Sequence, residues 1–201
     1  MAQSAPVFGS TLAPGFSDPV HDAQAAFRAI LETMSRPGKI ADLSLPLPAP
    51  PPLNPASAAV CLTLLDYDTR LWTDAGTETA ASQWLTFHTG CRFCEAPQAD
   101  VALITAPHGM PDLETFPVGE PERPEASALV IIQVEDLQTG PGVHLHGPGI
   151  ESRARLAPLG LPPTFWTRRL DIVGRYPLGI DLVFTCGASL ASLPRTTRTE
   201  V

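Results

Sequence analysis

The sequence predicts an α/β domain: a three-layer α/β/α arrangement around a mixed sheet. Three observations carry that expectation. The runs VALIT at 101–105, ALVIIQV at 128–134 and IDLVFTC at 180–186 are apolar on both faces, as strands covered on both sides must be. Segments with helical periodicity fall before, between and after them. VHLH at 143–146 alternates and follows 128–134 across Gly140-Pro141-Gly142, which reads as a hairpin-like pair and argues against a purely parallel sheet.

The elements follow in order. Residues 1–14 are expected to form a flexible Pro/Gly/Ser arm ahead of a single domain over 15–201. Asp18 is a good N-cap and Pro19 suits the first helical position, so a helix starts there. Val20, Ala23, Phe27, Ile30, Leu31 and Met34 recur at three- and four-residue steps and predict one apolar face. Pro37 and Gly38 stop the helix. Six prolines between residues 40 and 55 forbid a helix or a central strand, leaving a stiff extended surface segment. Asn54-Pro55 repeats the cap-plus-proline signal and opens a mostly buried helix to about Asp66. Arg70–Thr73 is a short strand, and Thr77–Thr79 opens a helix through Trp84 and Leu85. Phe87–Gly90 is expected as a loop or strand start, and 106–126 as loop. Pro162-Pro163 starts a helix to about Val173, and the tail from Leu193 reads as short and polar.

Composition excludes several functions. The formal charge of −8, with no basic run, argues against nucleic-acid binding. No stretch of 18 uninterrupted apolar residues predicts a membrane span, and the N-terminus has no signal-peptide pattern, so the expected location is cytoplasmic, with reduced cysteines. Lys39 is the one lysine against twelve arginines, and it completes neither a P-loop nor a plausible Schiff-base site.

Few side chains suggest chemistry. Cys91 and Cys94 form a CxxC, but no second pair supplies the other ligands of a zinc site, and no thioredoxin-like unit surrounds them. His144 and His146 would share a strand face without a carboxylate close in sequence, so a solvated face outweighs a metal pair and no metal is expected. His88 in TFHTG is a lone histidine, either a general base or a hydrogen-bonded structural residue. Asp181 opens a buried strand and must be paired or lie at the sheet edge. Arg195 in LPRTTR is either its partner or, with the Thr196 and Thr197 hydroxyls, a phosphate ligand. These residues form no catalytic set.

The ordered fragments DPVHDAQAAFRAILETMSRPG (18–38), LLDYDTRLW (64–72), TFHTGC (86–91), PEASALVIIQVEDL (124–137), GPGI (147–150), PLGIDLVFTCG (177–187) and LPRTT (193–197) together resemble the PhnH family of bacterial carbon–phosphorus lyase systems. The chain departs from the family pattern at Thr86, the position at which the family has an arginine before Phe-His-Thr. The resemblance implies a reduced pyridoxal-phosphate-dependent transferase fold without the cofactor site, and no cofactor. It implies a homodimer in isolation and a core complex with PhnG, PhnI and PhnJ, assisted by PhnL. That complex joins a phosphonate to C1 of the ribose of ATP, releasing adenine and forming a ribose 1-phosphonate 5-triphosphate. The family supplies no catalytic residue for this subunit, so the expected role is an essential non-catalytic one. The alternative is a nucleotide- or phosphonate-binding site built on Arg195, Thr196, Thr197, Asp181 and His88.

Overall fold

The computed structural model describes residues 12–200, so residues 1–11 of the expected N-terminal arm lie outside the described residues. The first helix, α1 (Pro19–Ser35), starts where Asp18 caps it: Asp18 Oδ1 accepts from the Val20 and His21 N–H groups at 3.2 and 3.1 Å. Its orientation differs from the one its periodicity suggests. Ala26, Ile30 and Thr33 are buried, whereas Val20, Phe27 and Leu31 face outward. The alanine-bearing side lets α1 approach its neighbours closely, so the small residues turn inward and the large ones turn out.

The strand β1 (Ala41–Asp42) is followed by an extended proline-rich stretch in which Leu43, Leu47 and Leu53 are buried while Pro46 and Pro48 are exposed. Then come α2 (Pro55–Leu64), capped by Asn54, and β2 (Arg70–Thr73). The helix α3 (Ala80–Thr89) ends at Gly90, whose φ of 75° is left-handed. His88 therefore lies in a helix, three residues beyond the expected end, because the Thr79 cap sets a later start.

Short β3 (Arg92–Phe93) precedes β4 (Val101–Ile104). The expected loop contains a hairpin, β5 (Val118–Glu120) and β6 (Arg123–Ser127). Then follow β7 (Leu129–Gln133), β8 (Asp136–His146), β9 (Ala154–Leu159) and α4 (Phe165–Val173). The chain closes with β10 (Asp181–Cys186), β11 (Ser189–Leu193) and β12 (Arg198–Glu200).

Seven strands form one sheet in the order β1-β11-β10-β7-β4-β2-β3. The run from β10 to β3 is parallel, while β11 and β1 add antiparallel pairs at one edge. The sheet is mixed, but not through the expected 128–147 hairpin. β8 leaves the large sheet and pairs instead with β9 and β12 in a separate three-stranded sheet. One face of the large sheet carries the core of α1, α2 and α3, including Ala26, Trp84 and Leu85. The other face packs against α4 and the three-stranded sheet through Leu145, Leu156 and Phe165. The layer on that side is thus part helix and part sheet.

Candidate functional site

The antiparallel register of β10 and β11 sets Leu182 opposite Leu193, which brings Asp181 at the start of one strand beside Arg195 just past the end of the other. Asp181 Oδ1 accepts from the Arg195 backbone N–H at 2.7 Å, and its Oδ2 accepts from Nε at 3.1 Å and Nη2 at 2.5 Å. Arg195 Nη1 donates to the Pro124 carbonyl at 2.7 Å. A Cβ on Gly179 would lie 2.9 Å from Arg195 Cβ, so glycine at that position makes room for the arginine. The pairing expected of a buried strand aspartate is present. It also commits much of the Arg195 guanidinium to holding the chain together.

Two further arginines stand nearby. Arg169 on α4 is only 2% exposed; its Nη2 donates to the Pro194 carbonyl at 3.0 Å, while Nε and Nη1 have no partner among the described residues. Burial pulls its pKa down to about 10, and Asp181 favours its charged form, so it is a cation at neutral pH. Arg198, which opens β12, is exposed and makes no ion pair among the described residues.

A cavity of about 540 Å³ opens where these elements meet, and Arg195, Thr196, Arg198, His146 and Tyr176 line it. A neighbouring cavity of about 680 Å³ shares His146, Tyr176 and Arg198 with it and reaches Thr199 and Glu200. The register of β8 with β12 sets His146 opposite Arg198. His146 Nε2 lies 3.2 Å from Glu200 Oε2 without hydrogen-bond alignment.

Of the sequence candidates, Arg195, Thr196, Thr197 and Asp181 come together. Thr197 is fully buried, so its hydroxyl is turned away from solvent. His88 belongs to the opposite face of the sheet, where its Nε2 lies 3.1 Å from the Ala13 carbonyl and its ring packs edge-on to Trp84. Sequence reasoning missed Arg198, Tyr176 and Arg169 as members of this region. The second arginine of LPRTTR was the available signal for Arg198. Cys91 is buried and Cys94 half-buried, and burial raises both thiols, opposite to the shift of a redox pair. No group of three metal-binding side chains forms among the described residues.

A family model described as "Bacterial phosphonate metabolism protein (PhnH)" matches residues 14–200. The chain belongs to the PhnH family. It is 37% identical over 190 residues to the alpha-D-ribose 1-methylphosphonate 5-triphosphate synthase subunit PhnH of Rhizobium meliloti (strain 1021), covering 92% of this chain and 94% of that protein. It is 32% identical over 175 residues to HtxG of Stutzerimonas stutzeri, a protein named as a C-P lyase subunit, covering 87% of this chain and 84% of the other. Four of the fragments that resemble the PhnH family pack against one another. Gly149 of GPGI has φ 79°, and a Cβ there would fall 2.0 Å from the Ser35 carbonyl oxygen at the end of α1. A Cβ on Gly147 would meet the Thr196 carbonyl at 3.0 Å. SRPG, GPGI, PLGID and LPRTT thus build one corner of the molecule. No helix among the described residues is long and apolar enough to cross a membrane.

Proposed function

We propose that this chain is a subunit of the ATP-dependent assembly that forms alpha-D-ribose 1-methylphosphonate 5-triphosphate in phosphonate catabolism, and that it contributes surface to the assembly while others supply the catalytic groups. The observation that carries this reading is the 37% identity, along nearly the whole of both chains, to a named subunit of that synthase. The outward face of α1 supports it. Val20, Phe27 and Leu31 are 74%, 49% and 57% exposed, and their spacing of seven and four residues sets them on one side of the helix. Large apolar side chains aligned in this way suit a protein contact. On this reading the partners are homologues of PhnG, PhnI and PhnJ, with PhnL acting on the same assembly, the isolated chain is a homodimer, and the location is the cytoplasm.

The test is adenine release from ATP plus methylphosphonate by the reconstituted proteins. Release should fall to background when this chain is omitted and return when it is added back. Full release without it would remove the proposed role.

A further inference from the structure

We infer that the cavity between α4, β12 and the Gly147-Pro148 turn binds a phosphate- or phosphonate-bearing small molecule. Its volume of about 540 Å³ lies within the ~300–1,000 Å³ of small-molecule sites. Its donors are of the right kind. Arg198 has no carboxylate partner among the described residues, and Thr196 and Tyr176 add hydroxyl groups to the lining. Arg195 is held rigidly by Asp181 and still has N–H groups beyond those it donates to Asp181 and Pro124.

The local charge is unlike that of the chain as a whole. The protein carries −8, yet Arg169, Arg195 and Arg198 gather here against the carboxylates of Asp181 and Glu200, an excess of one positive charge. The buried Arg169 guanidinium, with two unpartnered nitrogens, borders the same small cleft as Arg195 and adds its field from behind the wall. Buried polar groups are ordinarily paired, so the two free Arg169 nitrogens are polar capacity that the fold itself does not use. Pro148, Val173 and the two-thirds exposed Tyr176 ring add apolar surface to the same lining, suited to a sugar or a base.

The experiment is calorimetric titration of the full-length chain with ATP, methylphosphonate, inorganic phosphate and, as the uncharged control, adenosine. ATP or methylphosphonate should bind with Kd of ~1 mM or tighter. In Arg198→Gln that affinity should fall about tenfold or more, the loss expected of a charged hydrogen bond, with the melting temperature unchanged because Arg198 is exposed. Tighter binding of ATP than of methylphosphonate makes the ligand a nucleotide, and equal binding makes the recognised group the oxyanion alone. Three results overturn the site: no binding by any anion, equal affinity in the variant, or adenosine binding as tightly as ATP. None of these touches the subunit reading, which stands on assembly and adenine release.

Discussion

The two faces of the large sheet are finished differently. On the α1–α3 side the buried polar groups named below all have partners. Thr33 Oγ1 and Ser192 Oγ lie 2.7 Å apart and share a hydrogen bond. Gln133 Oε1 accepts from the Asn54 N–H at 2.6 Å and from Ser57 Oγ at 2.5 Å, while its Nε2 donates to the Pro52 carbonyl at 2.9 Å. The buried Trp84 donates through Nε1 to the Ala13 carbonyl at 2.8 Å. The side facing α4 and the three-stranded sheet is the reverse. Arg169, Thr197, Thr199, His144 and His146 each keep a buried polar atom without a hydrogen bond among the described residues, and the cavities of about 540 and 680 Å³ lie there. One face spends its polar groups on holding the fold. The other leaves several of them unpaired inside the fold, beside the cavities. At the C-terminal end of β4, on the edge where open α/β sheets commonly bind ligands, the backbone N–H groups are already taken: Asp74 accepts from the Thr105 and Ala106 N–H groups at 2.8 and 2.9 Å.

The sharpest way to break this comparison is at Trp84. Trp84→Ala removes a fully buried ring and the tie to Ala13, and should cost about 3–5 kcal/mol, lowering Tm by about 10 °C. A loss under ~1 kcal/mol in urea titration would show that this face does not carry the fold.

Matched threonines sharpen the contrast. Thr33→Val should cost about 1–2 kcal/mol because it leaves Ser192 unpaired in the core. Thr199→Val removes a buried hydroxyl that has no partner and should fall within ~0.5 kcal/mol of the parent or slightly above it. Equal costs for the two would erase the distinction.

The smallest effect is expected at the rim. Arg70 donates to both oxygens of Asp100, from Nε at 2.9 Å and Nη2 at 2.6 Å, and its backbone N–H adds a third bond at 2.9 Å. The Arg70 side-chain hydrogen bonds hold the Asp100 carboxyl below its ordinary value of 3.8. A lowered folded-state pKa stabilises above the unfolded value, and that contribution fades as pH falls below 3.8 through the lowered one. Both side chains are more than a third exposed, so the pair is worth only ~0.5 kcal/mol. The stability gap between the parent and Arg70→Leu, from urea midpoints, should shrink toward zero in strong acid. A gap that persists there assigns the effect to packing.

What the sequence revealed follows from how local each signal is. Asp18-Pro19 and Asn54-Pro55 act on their own first turns, so those helix starts are legible. Runs apolar on both faces mark β4, β7 and β10 as interior strands. Strand partnership leaves no such mark, and β8 could not be assigned to β9 and β12 from its own alternation. β11, SLASL, is small and half polar because Ser192 serves Thr33, which hides its strand pattern. At the site, the Asp181–Arg195 pair was legible because a buried carboxylate demands a partner. Arg198, Tyr176 and Arg169 converge only through the packing of α4 against β12, which no spacing in the chain encodes.

The most direct test of the central claim is co-purification. The tagged chain would be expressed with the PhnG, PhnI and PhnJ homologues of its own source, and the mass of the eluted species measured. The account predicts one stable assembly containing this chain in fixed stoichiometry, from which a folded Phe27→Asp, Leu31→Asp double variant is lost. A chain that elutes by itself while the other three assemble would contradict it.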